Sequence, residues 1–164
     1  MPASEQDLFQ RLDKLNIAAT THRHDPVFTV EEAQRVRGSI PGGHCKNLFL
    51  KDKKGELWLV VALEDTQIDL KSLAGQIGAA RLSFAKPELL YERLGIEPGS
   101  VTPFALINET AKGIHVVLDA AMMEHELVNY HPLTNRATTA IRSDDLLAFI
   151  RDCGFEPAIM SIGG

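Results

Sequence analysis

The segment HCKNLFLKDKKGELWLVVALED, residues 44–65, decides how this chain folds. Two apolar runs, KNLFLKD (46–52) and ELWLVVAL (56–63), flank Lys53-Lys54-Gly55. Short apolar runs bounded by a glycine turn read as a hairpin, because a buried helix would need a longer run with a 3.6-residue period. One residue sits oddly in it. Lys46 stands where the first run begins, beside His44, Cys45 and Asn47. Three accounts of it stay open on local grounds: a solvated strand end, a nucleophile or metal site built on Cys45 and His44, or a cation held for an anionic ligand.

Upstream of the hairpin, Ser4 with Asp7 three residues on forms a capping pair, and Leu8, Leu12 and Leu15 share one stripe, which predicts a helix. TTHRH (20–24) reads as extended. Thr29 and Glu32 repeat the capping pattern before a short helix, VEEAQRVR (30–37), closed by Gly38. Downstream, IDLKSLAGQIG (68–78) is predicted helical and RLSF (81–84) extended. PELLYERL (87–94) is a helix with proline in its first turn and Gly95 behind it. FALIN (104–108), IHVVLD (114–119), HELVNY (125–130) and the β-branched ATTAI (137–141) read as extended, and Ser143 is expected to cap a last helix ending at Gly154. Strands and helices mix without a regular βαβ rhythm. The expected fold is α+β, a mixed, curved or barrel-like sheet flanked by helices.

Composition narrows the class further. At 164 residues and 45% hydrophobic content, residues 1–164 make one domain with enough core to need no cross-links. Two cysteines, Cys45 and Cys153, do not make a disulfide scaffold, so a reducing cytoplasm is expected. The N-terminus has no signal-peptide pattern, and the longest apolar run, LWLVVAL, is too short to span a bilayer. Net charge is −5, so the field of the whole molecule does not attract nucleic acid, and a polyanion must be met by a local patch. The cations that could form one are Arg35 and Arg37, then Lys46, Lys51, Lys53 and Lys54, and later Arg136 and Arg142. A run such as DKKGE also reads as a solvated turn.

Several chemistries lose their signatures. Adjacent strand residues face opposite ways, so His44 does not activate Cys45 directly. No HExxH, HxxxH or CxxC gathers the six histidines and two cysteines into a metal site, and no metal or other cofactor is expected. There is no G-x-S-x-G elbow, Walker loop or GxGxxG. Nor is there a helix-turn-helix with a basic recognition helix, which argues against sequence-specific DNA binding. Two loops remain. PGSVTP (98–103) is a small polar turn whose Gly99 lets backbone amides approach a ligand and whose Pro103 fixes its shape, although it also reads as an ordinary connector. His131, followed by proline in NYHPLTN (129–135), is either a structural histidine or a directed imidazole.

Together, CKNLFL, PGSVTPFALIN and HPLTNRATTAIRSDDLLAFI closely resemble the freestanding aminoacyl-tRNA editing proteins of the YbaK/ProX superfamily, related to the insertion domain of bacterial prolyl-tRNA synthetases. The resemblance runs over nearly the whole chain, most like the ProX branch, whose members deacylate alanine mischarged on proline tRNA. It implies an ester hydrolase with a YbaK-like fold. By that resemblance, Lys46 matches the active-site lysine that contacts the terminal adenosine phosphate or the substrate, with Asn47 following it as in close relatives. Gly99, Ser100, Val101, Thr102 and Pro103 match the GxxxP loop, whose amides would polarise the ester carbonyl. His131 matches a pocket histidine associated with amino-acid selection, and Asp119 falls where relatives often carry an acidic residue near the site. The implied partner is the acceptor end of tRNA, met by Lys51, Lys53, Lys54, Arg136 and Arg142, with prolyl-tRNA synthetase or an elongation factor as further candidates. A noncatalytic tRNA- or synthetase-binding module, and a deacylase for cysteine- or serine-charged tRNA, stand as alternatives. Oligomeric state is not legible, and a monomer is the default.

Overall fold

One ten-residue strand, Gly43–Asp52, organises the sheet. The computed structural model describes residues 2–24 and 42–163. The expected helix at 30–37 with its Thr29 cap, and Arg35 and Arg37, lie outside the described residues. The strands are Ala19–Arg23 (β1), Gly43–Asp52 (β2), Leu57–Leu63 (β3), Leu82–Phe84 (β4), His115–Asp119 (β5), Leu127–Tyr130 (β6), Ala137–Arg142 (β7) and Ala158–Met160 (β8). They run in the order β1-β7-β6-β2-β3-β5-β8, with β4 added to β2. The predicted hairpin is present: β2 and β3 pair antiparallel from Cys45 opposite Leu63 to Lys51 opposite Leu57. Parallel pairs β2–β6, β3–β5 and β5–β8 make the sheet mixed.

Helices cover both faces. Glu5–Lys14 (α1) carries the predicted capping box between Ser4 and Asp7 and buries Leu8 and Leu12. Leu70–Ile77 (α2) is capped by Asp69, Pro87–Leu94 (α3) ends on a left-handed Gly95, Ala120–Met123 (α4) is one turn, and Ser143–Asp152 (α5) is the last helix. Strand alternation sorts the core into two clusters. Phe49, Leu59, Val61 and Leu118 face the larger one, shared with α1, α3 and α5; Leu50, Val60, Ala62 and Val117 face a smaller one beneath α2. Among the described residues, no helix is long and apolar enough to cross a membrane.

Two expectations fail here. FALIN is not a strand: Pro103–Ile107 is a 3-10 helix, begun by Thr102 Oγ1 accepting the Phe104 amide at 3.2 Å. Proline has no N–H for a sheet ladder, and Pro103, Phe104, Ala105 and Leu106 are all buried rather than alternately so. Nor does Ser143 cap α5. The cap position falls on Arg142, and the Ser143 hydroxyl instead donates to the carbonyls of His125, at 2.7 Å, and Met123, at 3.4 Å. The short α4 and the three-residue β8 escape sequence reasoning, being too short to show a period.

Candidate functional site

Among the described residues, β2 is where the sheet forks. On one edge it pairs with β3 throughout, whereas its other edge meets β6 only at Gly43 and His44 and β4 only from Leu50 to Asp52. Lys46 and Asn47 lie in the gap between those two neighbours. Gly42 permits the approach to β6: its φ is +104°, and a side chain there would meet Asn129 Nδ2 at 2.9 Å. The pairing of β2 with β6, Gly43 opposite Val128 and His44 opposite Asn129, ends two residues before Lys46 and two before His131.

The side chains of Lys46 and Asn47 leave the strand on opposite faces. Lys46 shares its face with Ala62, its partner on β3, and its ammonium donates to the main-chain carbonyl of Thr66. The Thr66 hydroxyl in turn donates to Asp119 Oδ2 at 2.7 Å. Asp119 is 2% exposed, and its carboxylate also accepts the amides of Ala121 at 3.2 Å and Leu63 at 3.4 Å. The acidic residue expected near the site is therefore two links behind Lys46, bound to protein donors. Thr66, which joins the two, was not singled out by sequence reasoning; a lone threonine in a turn carries no signal of such a role.

Asn47 faces the larger core with Val61. Its side-chain oxygen is buried and has no hydrogen-bond partner among the described residues. A buried acceptor left unpaired costs free energy, about 1–3 kcal/mol, unless a ligand or water supplies a donor. The GxxxP loop reaches this face through Val101, which packs against the larger core. Gly99 holds φ at +91°, Ser100 N is committed to Glu97 O at 3.1 Å, and Thr102 is fully buried. Pro103 delivers Phe104 into the core, where its ring meets those of Tyr130 and Phe149 edge-on at 5.9 and 5.6 Å. The Tyr130 hydroxyl donates to Met122 Sδ at 3.0 Å, and the nearby Cys45 thiol donates to the Gly43 carbonyl at 3.7 Å. Phe104, Tyr130 and Cys45, the chain neighbours of Pro103, His131 and Lys46, thus pack together in the larger core, whereas Lys46 itself leaves β2 on the opposite face. Among the described residues, no hydrogen bond joins Lys46, the 99–103 loop and His131 directly.

Cys45 itself is framework. Burial pushes its thiol up to about 11, so the thiolate needed of a nucleophile is absent near neutrality. His131 is half-buried, and its Nδ1 lies 2.9 Å from the carbonyl of Ala137. A carbonyl only accepts, so Nδ1 carries the proton. Burial, with a contribution from neighbouring His24, holds the imidazole below its ordinary pKa despite that bond. The ring is therefore neutral at pH 7 and presents Nε2 as an acceptor. Leu133, two residues on, has φ +69°, a conformation side chains seldom adopt, which bends the HPLTN loop.

The expected cations are dispersed. Lys51 is the next-to-last residue of β2, Lys53 and Lys54 form the turn after it, and all three are exposed. Arg136 precedes β7, while Arg142 at its far end is paired to Asp144 at 3.3 Å and Glu126 at 3.6 Å. Both pairs are solvent-exposed. No group of three or more His, Cys, Asp or Glu among the described residues could hold a metal ion.

A half-buried lysine at the fork of a mixed sheet, a glycine-proline loop and a neutral histidine are what this α+β fold displays. The chain belongs to the aminoacyl-tRNA editing domain family of the YbaK/ProX superfamily, whose model matches residues 24–149. It is 42% identical over 159 residues to the prolyl-tRNA synthetase associated domain-containing protein 1 of Bos taurus, covering 94% of this chain and 92% of that one. It is 37% identical over 152 residues to the prolyl-tRNA editing protein ProX of Acetoanaerobium sticklandii, covering 92% and 93%. Solved structures share the fold: hypothetical protein APE2540 superposes with TM-score 0.76 at 18% identity, covering 96% of this chain and 99% of that one. A candidate trans-editing enzyme for prolyl-tRNA synthetase superposes with TM-score 0.68 at 22% identity, covering 99% and 98%.

Proposed function

We propose that the whole chain works as one trans-editing deacylase that hydrolyses the ester between a small amino acid, alanine first, and the terminal ribose of proline tRNA. The observation that carries this is Lys46, held by the Thr66 carbonyl at the fork of the sheet in a chain of the editing family. Prolyl-tRNA editing is also what the ProX relative is named for. The fork is the place from which both faces of β2 are reachable by one acceptor end.

The chemistry asks little of the protein. An aminoacyl ester is already activated, so positioning and oxyanion stabilisation suffice without a protein nucleophile. Lys46 exchanges the Thr66 carbonyl for the terminal phosphate or the developing negative charge. The amides of Gly99 and Val101 are the loop donors for the carbonyl oxygen, since that of Ser100 is already used and Thr102 is fully buried. Asn47 Oδ1 accepts a hydrogen bond from a donor on the substrate. A water, ordered by the ribose hydroxyl, adds to the carbonyl carbon; the ester C–O bond breaks, and the proton passes to the ribose oxygen, freeing alanine and uncharged tRNA. His131 and its apolar neighbours set the pocket size. A synthetase pocket for proline rejects smaller alanine poorly, as each missing methylene is worth only about 1–3 kcal/mol, so a second site that admits only the smaller residue is the effective sieve.

The test is deacylation of alanine-charged proline tRNA. Loss of the ester with the wild type and its persistence with Lys46→Ala are expected. An intact alanine ester alongside cleared cysteine- or serine-charged tRNA would move the specificity, and tRNA binding with no hydrolysis of any of the three would leave a noncatalytic module.

A further inference from the structure

After β8 the chain stays on the sheet. Ile162 is 2% exposed in the smaller core, with Val60, Ala62, Leu73 and Val117. Ala62 is the β3 residue opposite Lys46, so Ile162 packs on the face from which the lysine leaves β2. The next residue, Gly163, lies so near Thr66 that a Cβ added to it would come within 3.2 Å of Thr66 Cγ2. We propose that the segment after β8 positions Lys46: Ile162 anchors it, and Gly163, lacking a Cβ, rests beside the Thr66 methyl without displacing the carbonyl that holds the ammonium. This rests on the tRNA-editing reading above and adds two positioning residues to that site.

Every polar or apolar group of Thr66 is engaged. Its hydroxyl donates to Asp119 Oδ2 at 2.7 Å, its carbonyl accepts from Lys46, and its methyl faces Gly163. The same segment reaches Thr66 by a second route, because β8 pairs with β5 so that Met160 stands opposite Asp119. The register of β8 therefore fixes Gly163 three residues beyond the partner of the carboxylate that orients Thr66. A contact of 3.2 Å is inside ordinary van der Waals range, so one side must give by a few tenths of an ångström. Ile162 and the β5 pairing hold the segment, and a close-packed interior passes the shift on to the Thr66 turn.

Gly163 has no positive φ, so alanine is free to adopt its backbone conformation. Among the described residues, Thr66 Cγ2 is also the sole atom within 4 Å of the added Cβ, chain neighbours aside. Burial of Ile162 by itself is ordinary packing of a strand end. Packing alone makes any side chain of the smaller core matter alike, whereas positioning makes activity follow the contact with Thr66.

The experiment is deacylation of alanine-charged proline tRNA by the full chain, with melting temperatures alongside, for Gly163→Ala in the Thr66 and the Thr66→Ser backgrounds. A misplacement of about 1 Å costs about a hundredfold, so in the Thr66 background kcat/KM should fall about fivefold with the melting temperature held. Serine keeps the carbonyl and the hydroxyl and removes the methyl, so in that background Gly163→Ala should leave kcat/KM where it was. Ile162→Ala should also lower kcat/KM, and Ile162→Val should recover most of it. Leu73→Ala empties a comparably buried position of the same core; it should lower the urea midpoint as much as Ile162→Ala while kcat/KM holds. An unchanged rate in Gly163→Ala, an equal loss in both backgrounds, or an equal loss with Leu73→Ala overturns the positioning role and leaves the editing reading standing. A wild type that hydrolyses no ester removes both.

Discussion

Thr66 stands between Asp119 and Lys46, giving its hydroxyl to the first at 2.7 Å and its carbonyl to the second. The carboxylate of Asp119 gathers the end of β3, the turn after it and the start of α4 through three donors. Its position thereby sets where the Lys46 ammonium rests. Replacing Thr66 by valine removes the hydroxyl and nothing else of size. We expect kcat for deacylation to fall several-fold with stability lowered by about 1 kcal/mol, and Thr66→Ser to restore the rate. A variant as fast as the wild type would show that Lys46 needs no such support.

Asp119→Ala is a different perturbation. It strands the Thr66 hydroxyl and the part-buried amides of Leu63 and Ala121, and the expected cost is about 2 kcal/mol in urea unfolding, because water reaches part of what a buried unsatisfied donor would lose, about 1–3 kcal/mol each. A loss under 1 kcal/mol would mean water replaces the carboxylate.

Lys46→Ala should reduce kcat/KM at least a hundredfold while leaving the melting temperature within about 2 °C, because the lysine is only half-buried and bonds a carbonyl rather than a carboxylate. Lys46→Arg should not recover the rate: its planar fork does not replace a compact ammonium. Full activity in either variant removes Lys46 from the mechanism.

His131 gives a pH prediction. Its folded-state pKa lies below the unfolded value near 6.5, so between the two the unfolded chain binds more protons. Its contribution to stability is complete above about pH 6.5 and is lost as pH falls through the folded pKa. Melting temperatures measured from pH 8 to pH 5 should therefore decline less steeply for His131→Gln than for the wild type. Equal slopes would show that the ring titrates alike folded and unfolded. In kinetics, His131→Ala should shift the ratio of rates on alanine and larger amino acids; unaltered selectivity removes it from the pocket.

The thiols should be silent. Burial lifts both Cys45 and Cys153 to about 11, so alkylation at pH 7.5 should be slow in the native protein and fast in denaturant. Deacylation should persist after prolonged native-state exposure to iodoacetamide; inactivation paralleling modification of Cys45 would return the thiol to the mechanism.

What the chain's local order determined is what a few neighbouring residues can enforce. The glycine turn between two apolar runs produces the β2–β3 hairpin, Ser4 with Asp7 starts α1, and Pro87 with Gly95 brackets α3. Lys46, Asn47, the GxxxP loop and His131 were singled out as a set only by resemblance to the editing family, local order leaving each with an ordinary structural account. Local order failed where it was ambiguous: FALIN is a short apolar run without a period, equally a strand or a turn of 3-10 helix, and Pro103 tips it to the latter. The alternation of strand residues already separates Lys46 from Asn47, yet only the tertiary structure shows that, among the described residues, β2 has no partner beside them on the edge away from β3. Tertiary structure alone decided the links from Lys46 to Thr66 and from Thr66 to Asp119, 20 and 53 residues apart, and the meeting of Phe104, Tyr130 and Cys45. Backbone propensity and side-chain period act over a turn or a strand, whereas a hydrogen bond across such separations exists only once burial of the two cores has fixed the strands against one another.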